Sequence, residues 1–223
     1  MRRPEAIVFD AYGTLLDVHS VLEEARLVLG TIAPDVVDLW RAKQLEYSWL
    51  RTLIGTYIDF GQVSRDALSF ALASHRVSPS EASRRRLLDA WFRPHAFPDV
   101  PQTVAALRRA GLTLAILSNG TPEMLELALG HSGLAGMFAA VLSVDEVRRF
   151  KPDWAVYELV QQRLHTSPEQ TLFVSSNGFD VAGAKAYGFT VCWVNRSRRP
   201  LDELGQRPDF EIASMRDLQE IVG

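Results

Sequence analysis

One short stretch near the start of the chain constrains the fold more than any other. Ala6–Phe9 are four consecutive apolar residues, a run typical of a buried strand, and Asp10 follows them directly. Gly13 and Thr14 then indicate a tight turn. Because ligands bind at the carboxyl ends of the strands in an open α/β sheet, the stretch predicts a strand that delivers the Asp10 carboxylate to a binding edge.

Beyond this strand the sequence predicts a block of helices and then an alternation of strands and helices. Apolar residues recur at three- and four-residue spacing, which indicates helices at residues 21–29, 34–53, 63–73 and 79–91. Strands separated by helical patterns are then expected at residues 112–117, 139–143, 171–174, 191–194 and 210–213. This alternation favours a parallel sheet with helices on both faces.

These patterns predict an α/β protein built from two domains. We expect a Rossmann-like parallel-sheet core made of residues 1–15 and 97–223, with an all-helical cap of residues 16–96 inserted after the first strand. A chain of 223 residues is long enough for a core domain and a smaller inserted one. A cap above the sheet edge would exclude water from a site there and add side chains to it.

Charge and composition exclude several classes of partner. The formal net charge is -3 and the only dense basic run, at residues 84–86, fits a solvated helix face or a dimer contact, so no nucleic-acid partner is expected. No apolar run approaches the length of a membrane span, and the four apolar residues before Asp10 are too few for a signal segment. The single Cys192 excludes an internal disulfide. We therefore expect a cytoplasmic protein without a membrane partner.

Polar residues follow several of the predicted strands, and we expect them to lie at the same edge of the sheet. They are Asp10 and Thr14, then Ser118 and Asn119, then Lys151, and finally the segment 175–180. The loop at Ser118 leads into a helix and would offer a hydroxyl and backbone N–H groups to an anion, although helix capping explains a serine there equally well. Taken singly, Lys151 also fits a solvated lysine.

The motif at residues 6–20 resembles the nucleophile motif of the haloacid dehalogenase superfamily. Its continuation from Ala11 to Ser20 is similar to the L-2-haloacid dehalogenase branch in particular. Residues 40–51, in a predicted cap helix, resemble the cap segment of that family. The resemblance covers the chain from Ile7 to about Asn195, with four motifs in the family's order and the cap segment between the first two.

The resemblance implies a two-step chemistry with named roles. Asp10 is expected to be the nucleophile, and Asp180 the base that activates water. Ser118 and the adjacent amides would bind the substrate carboxylate, while Asn119 and Arg41 would receive the departing halide. By itself Arg41 fits a solvated arginine on a helix.

Further residues have supporting roles within the resemblance. Lys151 would lie beside the nucleophile and keep it ionised, because a nearby opposite charge favours the carboxylate form. Tyr157 is expected to be catalytic, although a core tyrosine fits the pattern as well. Catalytic support is expected from Thr14, Ser175 and Asn177, and contact with the substrate from Ala11, Tyr12, Leu45, Phe60 and Phe179. Departures from the family pattern, which leave the substrate range open, occur at Ala42, Gly61 and Phe179.

Tyr12 separates carbon–halogen chemistry from phosphate chemistry. Phosphatases of the superfamily carry a second Asp at this position, which protonates the leaving alkoxide, and loss of such an acid costs about 10²- to 10⁴-fold in rate. A halide leaves without a proton. Phosphatases also hold Mg²⁺ with further acidic residues, whereas Ser175 and Asn177 are neutral here. We therefore expect an enzyme without a metal or other cofactor.

The sequence thus predicts the hydrolysis of L-2-haloalkanoic acids to D-2-hydroxy acids through an ester on Asp10. The partner would be a small 2-halocarboxylate, and we expect a homodimer. Three alternatives stay open: a related hydrolase that cleaves the C2 bond of a cyclic amino acid, a phosphatase, and a catalytically silent protein that binds a carboxylate. Chain length and preferred halide, fluoride included, are left undecided.

Overall fold

The computed structural model describes residues 3–223 and contains strands and helices close to the predicted ones. The strands are β1 (Ala6–Phe9), β2 (Leu16–Asp17), β3 (His95–Ala96), β4 (Thr113–Ser118), β5 (Ala140–Ser143), β6 (Thr171–Ser175), β7 (Thr190–Val194) and β8 (Phe210–Ile212). The helices are α1 (Leu22–Leu29), α2 (Ala33–Leu53), α3 (Phe60–Ser74), α4 (Glu81–Phe92), α5 (Val100–Arg109), α6 (Pro122–His131), α7 (Trp154–Leu164), α8 (Gly178–Tyr187) and α9 (Leu218–Val222).

A six-stranded parallel sheet forms the centre of the molecule, in the order β5-β4-β1-β6-β7-β8. Strand β1 lies between β4 and β6, and Val8 pairs with both Ala115 and Phe173. All four residues of β1 are fully buried, as expected for a parallel strand covered on both faces. The chain adds strands on one side of β1 and then on the other. Asp10 therefore follows β1 at a topological switch point, the place where ligands bind in such sheets.

Helices α1 to α4 have an apolar cluster of their own, apart from the cluster built on the sheet. It includes Trp40, Leu68 and Trp91, and the indole N–H of Trp40 donates to the carbonyl of Ser64 at 2.8 Å. Helix α3 begins at Phe60, three residues before the predicted start, because the Asp59 side chain accepts the N–H of Gln62 and caps the helix. None of the helices within residues 3–223 is long and apolar enough to cross a membrane.

The short antiparallel pair β2–β3 joins the two ends of the helical segment. Leu16 pairs with Ala96 and Asp17 with His95. The chain therefore leaves β1 and returns to the sheet at neighbouring points. No sequence pattern indicated this pair, because two-residue strands are too short to show an alternation of apolar and polar residues.

Candidate active site

Asp10 is held by donors on both carboxylate oxygens. Its Oδ2 accepts from Thr14 Oγ1 at 2.9 Å and from Asn177 Nδ2 at 2.8 Å, while its Oδ1 accepts from Lys151 Nζ at 3.1 Å. Gly13, with φ of 92°, adopts a conformation that a side chain would strain, and it lets the chain turn so that Thr14 returns to Asp10. The carboxylate is thereby fixed in one orientation and 6% exposed.

Lys151 connects the two buried carboxylates of the site. Its ammonium lies 2.9 Å from Asp180 Oδ2 and 3.1 Å from Asp10 Oδ1, and the side chain is 1% exposed. The hydroxyl of Tyr157 donates to the other oxygen of Asp180 at 2.8 Å. This arrangement brings together four of the predicted residues, from the loop after β1, the loop before α7, α7 and α8.

Burial and charge act in opposite directions on these groups. Burial raises the pKa of Asp180 to about 6, because desolvation and the Asp10 charge outweigh the opposing effect of the Lys151 ammonium and the Tyr157 hydrogen bond. Burial alone would lower the pKa of Lys151, but the two carboxylates raise it above its ordinary value. Lys151 therefore stays charged, and Asp180 becomes a base near neutral pH.

The loop after β6 is tied to the loop after β1. Asn177 donates its backbone N–H to Ser175 Oγ at 3.1 Å, and its side-chain amide also donates to the carbonyl of Tyr12 at 3.1 Å. Thr14 Oγ1 accepts the N–H of Ser176 at 2.9 Å. Thr14 and Asn177 thus join the two loops, and Ser175 holds Asn177. Their roles in catalysis stay predictions.

The loop after β4 follows a strand at the same edge and is held by several hydrogen bonds. Ser118 Oγ accepts the N–H of Gly120 at 3.1 Å, and Ser143 Oγ donates to the Gly120 carbonyl at 2.7 Å. Asn119 Oδ1 accepts the backbone N–H of Lys151 at 3.0 Å, which fixes the orientation of its amide. Within residues 3–223 the Asn119 NH₂ group then has no hydrogen-bond partner, so it is free to bind an anion.

Arg41 brings a positive charge from α2. Its guanidinium carbon lies 6.0 Å from the ring centroid of Trp91, and no residue in the described part of the chain accepts a hydrogen bond from it. Burial lowers the pKa of Arg41, while the negative charge of Asp10 raises it. Because a guanidinium group stays protonated in proteins, its N–H donors remain available within the described residues for an anionic ligand.

A cleft of about 690 Å³ opens beside these groups, and its size suits a small organic ligand. Leu45, Phe179 and Ala42 line it, and contact of Leu45 and Phe179 with a substrate stays a prediction. Trp49 also lines it and packs edge-on against Phe179, with ring centroids 5.2 Å apart. Trp49 belongs to the segment 40–51 that resembles the family's cap segment, but the sequence analysis did not predict its position on the wall of the cleft.

Three predicted substrate contacts have other surroundings. Phe60 is buried against Phe150, with ring centroids 5.9 Å apart, and does not line this cleft. The carbonyl of Ala11 accepts the N–H groups of the turn that follows it. Tyr12 stacks on Trp91 with ring centroids 6.5 Å apart. Contact of these three residues with a substrate stays a prediction.

The side chains at this edge do not fit a hard divalent cation. Each oxygen of Asp10 and Asp180 accepts from an N–H or O–H donor, and an ammonium group lies between the two carboxylates. Mg²⁺ demands six oxygen ligands, most of which this site would have to take from water. Within the described residues, no group of three His, Cys, Asp or Glu side chains has the spacing of a metal site.

The site contains an immobilised carboxylate at a switch point, a second buried carboxylate with a raised pKa, and cationic and amide donors that have no partner among residues 3–223. These features are those of an α/β enzyme that works by nucleophilic catalysis. The comparison with known families identifies the family within this class. The model of the haloacid dehalogenase-like hydrolases matches residues 4–188, and the chain belongs to that family.

Individual relatives match over nearly the whole chain. The chain is 43% identical to haloacetate dehalogenase H-2 of Moraxella sp. (strain B), over 100% of this chain and 99% of the relative. It is 43% identical to the (S)-2-haloacid dehalogenase of Pseudomonas sp. (strain YL), over 97% and 94%. Among solved structures, the L-2-haloacid dehalogenase of Xanthobacter autotrophicus with chloropropionic acid covalently bound aligns with a TM-score of 0.91 at 40% identity, over 98% of both chains.

Proposed function

We propose that this enzyme hydrolyses L-2-haloalkanoic acids to D-2-hydroxy acids through an ester on Asp10. The observation that carries the proposal is the fixed Asp10 carboxylate, backed by Lys151 and followed two residues later by Tyr12 in place of a general acid. The (S)-2-haloacid dehalogenases among the relatives, and the covalent chloropropionic acid in the related structure, support the same chemistry.

In the first step, an oxygen of Asp10 attacks C2 of the substrate from the side opposite the halogen. The new C–O bond forms as the carbon–halogen bond breaks, and the halide leaves with the bonding electron pair. Arg41 and the free NH₂ group of Asn119 receive this negative charge, while Ser118 and the adjacent backbone N–H groups hold the substrate carboxylate. Donors aimed at developing charge lower the barrier because they need no reorganisation.

In the second step, water attacks the carbonyl carbon of the Asp10 ester. Asp180 takes a proton from this water and returns it to the leaving alkoxide oxygen, so the hydroxy acid departs with an oxygen that came from Asp10. The Asp10 carboxyl group then releases the other proton of the water and becomes a carboxylate again. Lys151 and Tyr157 hold Asp180 in place throughout. Because only the first step touches C2, the configuration at that carbon inverts once.

The test is halide release from each enantiomer of 2-chloropropionate, followed by one turnover in H₂¹⁸O. We expect halide and D-lactate from the L enantiomer only, with ¹⁸O in the Asp10 carboxylate and none in the first product. Label in the product of that turnover would mean that water attacks C2 directly and would refute the ester. Monochloroacetate belongs in the same assay, because one relative is named a haloacetate dehalogenase.

We propose that residues 16–96 act as a cap on a core made of residues 1–15 and 97–223. The separate apolar cluster around Trp40 and the β2–β3 pair at the base of the segment support this division. Hydrogen exchange tests it. If the segment is a separate unit, its amides should exchange together and at a different free energy of opening from those of β1 and β6.

We also propose that the enzyme is a cytoplasmic homodimer. Leu53 is 80% exposed and Ile54 67% exposed at the end of α2, and an apolar patch of this kind often marks a contact with another subunit. Light scattering should give twice the mass of one chain, and Leu53→Glu should shift it towards the monomer. Cell fractionation tests the location, with the activity expected in the soluble cytoplasmic fraction.

A further inference from the structure

Tyr12 is packed between Trp91 of helix α4 and the loop after β4. Its side chain is 4% exposed and stacks on Trp91 with an angle of 7° between the rings. On the other side, a Cβ placed on Gly120 would lie 3.0 Å from Tyr12 Cε2, so the ring lies directly against the loop that holds Asn119. The backbone carbonyl of Tyr12 is bound by Asn177, so main chain and ring are both fixed.

The hydroxyl of this fixed ring is buried and makes no hydrogen bond within residues 3–223. A buried hydroxyl without a partner costs the desolvation free energy of the group and is rare in native proteins. The packing does not require the hydroxyl, because phenylalanine would make the same ring contacts with Trp91 and Gly120. A group that is costly to bury and unused in the free protein points to a ligand.

The charges around Tyr12 define what that ligand is. Burial and the Asp10 charge raise the pKa of Tyr12 far above its ordinary value, although Arg41 opposes them, so the hydroxyl stays protonated and acts as a donor. The Arg41 guanidinium carbon and the Tyr12 ring centroid lie 6.0 Å and 6.5 Å from the Trp91 ring centroid, so the two donors belong to one side-chain cluster. A group that accepts from both is an anion, and the proposed reaction releases one.

We propose that the Tyr12 hydroxyl donates a hydrogen bond to the departing halide, next to Arg41 and Asn119. This inference rests on the proposed function. As the Asp10 oxygen bonds to C2, the halide takes the electron pair of the broken carbon–halogen bond, and Tyr12 keeps its proton. The contact strengthens as the charge on the halogen grows, so it stabilises the transition state more than the bound substrate.

The test is Tyr12→Phe, which removes one oxygen and keeps the ring. We expect kcat for L-2-chloropropionate to fall about 10- to 100-fold, the range for a hydrogen bond to a charged group, with little change in KM. The loss should be smaller with 2-bromopropionate, since bromide accepts weaker hydrogen bonds and leaves more easily. Thermal stability should not fall, because the hydroxyl has no partner to lose. Tyr47→Phe, which alters a ring packed on Phe70 in the cap, is the control.

Three results would contradict the proposal. They are an unchanged kcat, an equal loss with chloro and bromo substrates, and an unchanged inhibition constant for chloride as a product.

If Tyr12→Phe does not fold, 3-fluorotyrosine at position 12 makes the donor more acidic and should change the ratio of chloride to bromide release. Bromide titration followed by tryptophan fluorescence needs no turnover. Wild-type protein that releases no halide would refute the proposed function, whereas equal bromide affinities in wild type and Tyr12→Phe would refute the role of Tyr12.

Discussion

Lys151 is the residue on which the two carboxylates of the site depend. Without its ammonium, Asp10 and Asp180 would be two buried negative charges facing each other, which is costly in a medium of low polarity. With it, one positive charge offsets two negative ones, and Thr14, Tyr157 and Asn177 supply the remaining donors. This explains how a nucleophile and a base can stand near each other and act in separate steps.

Arg41→Ala should lower kcat for L-2-chloropropionate about 10²- to 10³-fold, the usual cost of one donor that faces developing negative charge. Arg51→Ala is the matched control. Arg51 lies on the same helix and pairs with Asp66 at 3.3 Å, outside the cleft, so its loss should leave kcat unchanged. Steady-state halide release measures both, and a folded Arg41→Ala with wild-type kcat would place the halide elsewhere.

The rate of ester hydrolysis should fall on the acid side of about pH 6, because Asp180 must be ionised to accept a proton and its pKa is raised to about 6. Above that pH the rate should be flat until another group titrates. Tyr157→Phe removes a hydrogen bond that lowers this pKa, so the acid limb should move to higher pH. A pH–kcat profile for the two proteins checks the direction, and a shift to lower pH would contradict it.

Asp180→Asn separates the two steps of the reaction. The variant lacks the base for ester hydrolysis but keeps the Asp10 nucleophile, so ester formation should continue while hydrolysis slows. Intact-protein mass spectrometry after mixing with L-2-chloropropionate should then detect the chain with the dehalogenated acid attached. Asp10→Asn, treated in the same way, should give no adduct.

At the scale of elements, helices α7 and α8 position the base through close packing. Gly183 lies one turn after Asp180 on α8 and faces Tyr157 of α7. A Cβ on Gly183 would lie 2.5 Å from the Tyr157 hydroxyl oxygen and 2.6 Å from Pro152 Cβ. The absence of a side chain at this position therefore lets Tyr157 reach Asp180.

Gly183→Ala should lower both stability and kcat. The added methyl group overpacks the contact at a cost of about 1 to 3 kcal/mol, which exceeds or cancels the gain of about 1 kcal/mol from a better helix former. Gly130→Ala is the control, since nothing lies within 4 Å of its Cβ in helix α6, and it should stabilise the protein slightly. Urea unfolding and kcat measure the two effects. A more stable and fully active Gly183→Ala would show that α7 and α8 have room to adjust.

At the scale of the whole molecule, the parallel sheet and the helical segment meet over one edge. The core provides Asp10, Ser118, Lys151 and Asp180 at or beyond the carboxyl ends of the strands, and helix α2 provides Arg41 and Leu45 from the other side. Asp10, Lys151 and Asp180 are buried at this edge, where electrostatic interactions are stronger than in water.

Turnover should survive removal of divalent metals. The carboxylate oxygens of the site already accept from protein donors, and a monoanionic haloacid needs no further cation than Arg41 and Lys151. Dialysis against EDTA should leave kcat unchanged, and added Mg²⁺ should not raise it. Loss of activity that Mg²⁺ restores would contradict this account of the site.

The elements were predictable from the sequence because their signals are local. The four apolar residues before Asp10 and the repeated helix–strand alternation depend on neighbours along the chain, and the strands and helices formed within a few residues of their predicted bounds. The β2–β3 pair was not predicted, because its two strands are far apart in the chain and too short to show a pattern.

The sequence by itself determined the α/β class, the place of Asp10 after the central strand and, through its motifs, the family. Only the tertiary structure decided which partners these residues have. Lys151 reaches Asp10 across 141 positions, Asn119 is oriented by a backbone N–H 32 positions away, and Phe60 packs on Phe150 away from the cleft. The physical reason is that secondary structure follows short-range periodicity, whereas hydrogen bonds, burial and pKa shifts depend on which distant segments the fold brings into contact.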